Sequence, residues 1–431
     1  MSARERSKMK KESGLLKDWF IKQPDYLFKT NSLSAKTKEK FHELGRIMRG
    51  DILTMTTIAA SGHPGGPMSS AEIYIVVHSL ANIHPSKIND PLRDRIVVSH
   101  GHTSAGCYAV LGRLGFFNIE DALIHFRKCG SIFEGHIERK IPGCEWTTGN
   151  LGQGLSAGCG FALASKINEE HCNVFILMSD AEQAKGQVGE ARRFSKQFEL
   201  NNMTCIIDYN EIQISGSVHD VMHVNIKSNY ESDGWNVLEV DGHNVEEIYN
   251  AIHKSINDTS LPYAIICHTT MGKGVSFMEE AKEHYHGSPL KPEEYAKAIE
   301  ELGIENRIDE YRKERDATSP ETSHTEFRRT PNIETGKPFN YKVDDALGNR
   351  DAFGKSLEDI AIINKKREAA SPIVVLDCDL KESVRTHLFE NVSPACFIEA
   401  GVQEHNTATI ARVLSIEAKI TYIAEFVVFG I

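Results

Sequence analysis

The sequence predicts an α/β protein: a doubly wound parallel sheet, followed by a second, incomplete α/β unit of the same kind. Three observations predict the architecture. Short unbroken runs rich in Val, Ile and Leu (RIVVS, NVFILM, TCIIDY, NVLEV and YAIICH) recur between residues 95 and 268, as expected of parallel strands covered on both faces. Helix-period segments separate them, the signature of βαβ winding. The alternation then lapses into a polar stretch and restarts near Asp351.

Taken in order, residues 1–35 form an N-terminal extension. Its DWFIKQPDYLFKT segment has aromatics able to dock on a partner, and a loosely packed arm is an equally good reading. EKFHELGRIMRGDILTMTTIAA, from Glu39 to Ala60, has the period of an amphipathic helix. The first domain spans 36–290. Residues 291–345 comprise a charged helix, KPEEYAKAIEELGI, and a linker that is polar, Pro-containing and without period. In 346–431, DAFGKSLEDIAIINKKREA, VRTHLFENV and VQEHNTATIARVLSIEA read as helices, and PIVVLDCDL, CFIEAG and ITYIAEFVVF as strands. Three strands leave an open edge, which a partner chain would cover unless the sequence is a fragment.

Composition narrows the function. Of 431 residues, 40% are hydrophobic and 25% charged, ordinary for a globular protein. A net charge of −11 argues against broad nucleic-acid binding. No apolar run approaches the roughly 20 residues that span a bilayer, and the basic start MSARERSKMKKE has no apolar core behind it, so it is not a secretory signal. Nine cysteines without a CxxC pair suggest buried thiols and a cytoplasmic protein.

Two strands point to a ligand. VFILMSD ends in Asp180, and MTCIIDYN ends in Asn210, with Ile212 two residues on. Ligands of open α/β sheets gather at the carboxyl ends of strands. A carboxylate and an amide oxygen suit Mg²⁺, which completes its shell with phosphate oxygens and water. The pair therefore reads as a seat for a metal-bound diphosphate, with ordinary helix capping as the plainer alternative. The glycine-rich turn of Gly149, Leu151, Gly152, Gln153 and Gly154 opens a helix whose N-terminus favours anionic groups.

SGHPGGPM, SHGHTSAGCYAVLGRLG, TTGNLGQGLSAGCGFALA, KGVSFMEE with YHGSPL, and GVQEHN follow one another along the chain. Together they resemble the transketolase family of thiamine diphosphate-dependent enzymes. The resemblance covers the diphosphate-binding domain over residues 37–290 and the first half of the pyrimidine-binding domain over 351–431. It implies Mg²⁺, or Ca²⁺ or Mn²⁺, on Asp180, Asn210 and the backbone carbonyl of Ile212. It places Gly149, Leu151, Gly152, Ala181 and Glu190 beside the coenzyme, His102 and His286 toward its diphosphate, and His63 and His136 at the sugar entrance. Glu404 corresponds to the glutamate that protonates the aminopyrimidine. Phe426 and Phe429 match the aromatic pair on the pyrimidine ring, and Asp379 another position near it. By the same comparison His100 is incidental, and His243 reads as a loop and cap residue.

Two departures stand out. Ala181 replaces a family glycine and would be strained at a glycine-only backbone angle. Lys185 replaces a glutamate of the acidic chain that links the two active sites of the family dimer, leaving Glu190. The implied function is transfer of a two-carbon ketol unit from a ketose or ketose phosphate to an aldose or a partner-borne carrier. A homodimer and a second polypeptide completing the pyrimidine domain are expected. The alternatives are a deoxyxylulose-phosphate synthase-like or 2-oxo acid dehydrogenase-type component, a non-catalytic paralogue, and a sequence fragment.

Overall fold

The computed structural model describes residues 32–320, 330–365, 372–426 and 428. Most of the expected N-terminal extension, part of the linker and Phe429 lie outside them. The strands are β1 (Arg95–Val98), β2 (Val174–Ser179), β3 (Met203–Tyr209), β4 (Ile212–Gln213), β5 (Gly216–Ser217), β6 (Asn236–Asp241), β7 (Tyr263–His268), β8 (Ile373–Asp377), β9 (Phe397–Glu399) and β10 (Ile420–Ala424). Helices of ten residues or more are α1 (Ala35–Ala59), α2 (Ala71–Leu80), α3 (Ser104–Arg113), α4 (Gln153–Ile167), α5 (Gly186–Gln197), α6 (Val245–Asn257), α7 (Pro292–Glu301), α8 (Ile308–Ala317), α9 (Asn349–Asn364) and α10 (Glu404–Ile416).

The first sheet has the order β1-β2-β3-β7-β6 and the second β10-β8-β9, and every pairing within them is parallel. The unbroken apolar runs follow from burial on both faces. Along β2, Phe175 and Leu177 enter one core with Phe41, Ile52 and Tyr74. Val174, Ile176 and Met178 enter the other, which continues into Val374 of β8 and Val413 of α10. Helix α4 is the element shared by the two sheets. A Cβ on Gly158 would come 2.5 Å from Ile176, and one on Gly160 would come 2.6 Å from Val413. Two glycines two residues apart thus let one helix press on β2 and on α10 at once. A buried ion pair, Arg95–Glu417, ties the start of β1 to the end of α10.

The structure differs from expectation in three places. Ile308–Ala317 forms a helix where no element was assigned, because Ile308 and Tyr311 bury one face of it and Arg315 binds the carbonyls of Ile124 and Phe126. The last strand stops at Ala424 and does not include Glu425 or Phe426. The stretch 384–392 is split: Val384 ends a short helix, Lys381–Val384, and a second helix runs His387–Val392, because Arg385 takes φ +70° and breaks the turn. All nine cysteines are free, and only Cys129 is exposed. Among the described residues no helix is long and apolar enough to cross a membrane.

Candidate active site

Asp180 and Asn210 follow neighbouring strands and are both buried. Asp180 accepts hydrogen bonds from the N–H groups of Ala181 (2.6 Å) and Glu211 (2.7 Å). Glu211 reaches it from φ +64°. Asn210 Oδ1 accepts the Ile212 N–H at 3.1 Å, and its Nδ2 donates to Ser69 Oγ at 3.3 Å. Beneath them Asp208 is held by Ser69, Ser70 and Thr269. Burial, then the charge of Asp208, raises Asp180 to about 7 against three backbone donors, Glu211, Ala181 and Asn210. A carboxyl in that state gains from a cation. Among the described residues no three His, Cys, Asp or Glu side chains form a metal-holding group. A divalent ion here would use one carboxylate, the Asn210 amide and a backbone oxygen, with other ligands from phosphate and water, which is how Mg²⁺ is commonly held. The residues fit the ion.

The glycine-rich turn enters α4 through Gly152 at φ +87°. Two of its amides are already engaged. Glu182, only 1% exposed, accepts from Gly152 N (2.7 Å), Ser99 Oγ (2.5 Å) and Ser179 N (2.7 Å), while Gly154 N donates to Ser99 Oγ. Gly152 and Gly154 therefore serve by lacking a Cβ: one on Gly154 would meet Ser99 at 2.2 Å, and one on Gly152 would meet Lys185 at 2.8 Å. Gly149 is exposed and opens onto free space, next to half-buried Leu151. The strain foreseen at Ala181 does not arise. It lies in a 3₁₀ turn outside the positive-φ residues, so alanine is accommodated there. Lys185 donates to the Asn150 side chain at 2.9 Å.

Four histidines from distant segments converge. The His63 ring centroid lies 5.4 Å from that of His102, 6.3 Å from His136 and 5.8 Å from His286, and His102 stacks on His286 at 5.6 Å. Burial, then His286, Arg127 and His136, lowers His63 to about 4. Burial lowers His102, His136 and His286 as well. All four are neutral imidazoles at physiological pH, able both to donate and to accept. The Nδ1 atoms of His63 and His286 are shut from solvent with no hydrogen-bond partner among the described residues, as befits atoms awaiting a ligand. His100 lies beneath them, bonded to the Leu177 carbonyl at 2.9 Å. His243 does more than cap a loop. It contacts Glu72 at 3.1 Å and accepts the Thr270 N–H at 2.8 Å, bracing the buried Arg49–Glu72 pair.

Glu404 begins α10, and among the described residues no hydrogen bond or ion pair joins it to the histidines. Glu190 of α5 reaches the first turn of the same helix, where it accepts the Asn406 N–H at 3.0 Å and lies 3.8 Å from His405. Asp379 is exposed at φ +66°, its N–H donated to Glu399. Phe426 is 43% exposed. One chain thus brings the metal residues, the glycine turn and the histidines together, while Glu404, Asp379 and Phe426 belong to the second α/β unit. Sequence reasoning missed Glu182, Asp208 and Arg127. Asp208 was hidden as a single acid in an apolar run, and Glu182 as the second acid of the polar turn after Asp180. Arg127, bonded to Ser61 Oγ at 2.6 Å with its charge acting on His63 and His136, had only the basic residue of HFRK as a signal.

A family model described as "Transketolase, thiamine diphosphate binding domain" matches residues 38–326. One subunit of the apulose-4-phosphate transketolase of Phocaeicola vulgatus is 36% identical over 260 residues, 59% of this chain and 90% of that protein. Transketolase of Rattus norvegicus is 33% identical over 368 residues, 84% of this chain and 56% of that protein. The crystal structure of transketolase from Campylobacter jejuni aligns with a TM-score of 0.77 at 27% identity, covering 91% of this chain and 66% of that one. The chain spans little more than half the length of the rat enzyme.

Proposed function

Because the chain belongs to the transketolase family, we propose that it is a thiamine diphosphate- and Mg²⁺-dependent component that transfers a two-carbon ketol unit from a ketose or ketose phosphate to an aldose or a partner-borne carrier. The observation that carries this is the burial of Asp180, raised to about 7 beside Asn210, under a mouth of four neutral histidines. When bound, thiamine diphosphate supplies a nucleophilic carbon and an electron sink for cleaving and forming carbon–carbon bonds. This chain's residues do the rest. Asp180, Asn210 and the Ile212 carbonyl hold the ion. Gly149, Leu151, Gly152 and Ala181 line the approach of the diphosphate, and His102 and His286 face it. His63 and His136 bind substrate hydroxyls and move their protons. Glu404, at the helix start that Glu190 also reaches, would hydrogen-bond the aminopyrimidine, and Asp379, Phe426 and Phe429 would flank that ring.

In this reading residues 36–290 are the diphosphate domain and 346–431 part of the pyrimidine domain, joined by 291–345. The working unit has at least two copies, since among the described residues no hydrogen bond or ion pair joins Glu404 to the histidines. A second polypeptide completes the pyrimidine domain, a reading supported by likeness, over 90% of its length, to a protein whose name makes it one subunit of a larger enzyme. Calorimetry of thiamine diphosphate with Mg²⁺ present, before and after adding the complementary chain, tests this. Uptake that is lost in Asp180→Asn is expected. Uptake that survives in Glu404→Gln, with ketol transfer abolished, is expected too. No uptake by the assembled wild type sinks the reading.

A further inference from the structure

The histidine mouth holds one cation that no acid balances. Arg127 comes just after the short helix Ile119–His125 and takes φ +52°, with its own N–H donated to the Phe133 carbonyl at 2.8 Å. Its side chain reaches two histidine-bearing segments. Nη1 donates to Ser61 Oγ at 2.6 Å, two residues before His63. A Cβ built on Gly135, the residue before His136, would fall 2.2–2.4 Å from Nε, Cζ and Nη2 alike. Only a point above the guanidinium plane can be so evenly spaced from those three atoms, so the group lies with its face on Gly135. Gly135 is not among the positive-φ residues. It is needed there for room, not for backbone freedom. The loop on which the guanidinium rests is anchored from α3, by Ser104 Oγ on the Gly135 carbonyl at 2.9 Å and by the Tyr108 hydroxyl on the carbonyls of Glu134 and His136. Among the described residues Arg127 has no ion pair, and its Nε is shut from solvent without a hydrogen-bond partner.

We propose that Arg127 is a positioning residue of this mouth: its guanidinium, laid on Gly135 and bonded to Ser61, fastens the His63 turn to the His136 loop and fixes the spacing of those two imidazoles. The rings stand 6.3 Å apart, edge to face. Among the described residues no hydrogen bond joins them, so what holds the two segments sets their separation. A planar guanidinium can do this because the contact uses its face and its edge at once; an ammonium on a flexible stem offers neither. The charge acts at the same place. The groups facing His63 are His102, His136, His286 and Arg127, and of these the guanidinium is the one charged at neutral pH. It opposes a proton on His63 and on His136, which leaves both rings able to accept from a hydroxyl. The use of this clamp in ketol transfer rests on the function proposed above. The clamp itself does not.

The test uses the full chain without coenzyme, and reads amide hydrogen exchange by mass spectrometry and histidine titration by NMR of the ring carbons. In Gly135→Ala the added methyl displaces the guanidinium, the flexible end of a long side chain, so the chain folds and the clamp is what opens. Exchange over residues 61–63 and over 134–136 should quicken together, by about tenfold or more. Arg127→Lys keeps the charge and loses the face. It should quicken the same two segments while His63 and His136 titrate as in the wild type. Arg127→Ala loses both, so exchange quickens and the two midpoints rise by about half a pH unit. Faster exchange in one segment alone, wild-type exchange in Arg127→Lys, or unmoved midpoints in Arg127→Ala overturns the proposal. If Arg127→Ala does not fold, Gly135→Ala and Arg127→Lys decide. A wild type that takes up no thiamine diphosphate in calorimetry would sink the functional reading and leave the clamp standing. Segments that exchange independently of each other would remove the clamp and leave the functional reading intact.

Discussion

Acid should loosen this fold through its histidines, and His63 shows by how much. Its proton affinity falls from 6.5 to about 4 when the chain folds, chiefly by burial. As pH drops below 6.5 the unfolded chain takes up the proton first, so stability is complete above that value, declines toward about 4, and is level beneath it. A shift of about 2.5 pH units corresponds to about 3 kcal/mol. His63 is partly accessible, so screening by water brings its share to about 1–2 kcal/mol. His78, 2% exposed and likewise lowered to about 4, contributes about 3 kcal/mol in the same window. Asp180 acts in the opposite sense. Raised from 3.8 to about 7, it keeps its proton in the folded chain after the unfolded chain has lost it, so it costs stability as pH climbs between those values. The two effects partly cancel in the wild type and separate only by substitution. Urea unfolding of metal-free wild type and His63→Asn, from pH 7.5 down to 4, isolates the histidine. The variant should lose about 1–2 kcal/mol less than the wild type. An equal loss in both would refute the assignment of the shift to His63.

Other substitutions probe the remaining parts of the site. Asp180→Asn should stabilise the metal-free chain above pH 7 by up to about 4 kcal/mol, the equivalent of its shift, while abolishing Mg²⁺-dependent coenzyme uptake; paired urea unfolding and calorimetry would show both. Glu182→Ala strips the acceptor from Gly152 N, Ser99 Oγ and Ser179 N. It should cost about 3 kcal/mol in thermal or urea unfolding and weaken coenzyme affinity through the glycine turn. Gly160→Ala would drive a methyl to within 2.6 Å of Val413. A loss of about 1–3 kcal/mol is expected, and relief by the added substitution Val413→Ala would confirm the contact.

The alternation of apolar runs and helical periods determined the winding by itself, because a strand buried on both faces must be apolar throughout, and all five runs became strands of one parallel sheet. Asp180 and Asn210 were legible for the same reason, since a polar residue ending such a run lies at the strand's carboxyl tip. The family motifs named the four histidines. Their meeting within 5.4–6.3 Å of His63 is a product of tertiary structure, because they come from segments separated by up to some two hundred residues. Only the folded chain revealed that Glu182 claims the Gly152 amide of the glycine turn and that Ala181 escapes a positive φ. These depend on which polar atoms lose water and which neighbours replace it. Sequence spacing carries no record of that until the helices and sheets have packed.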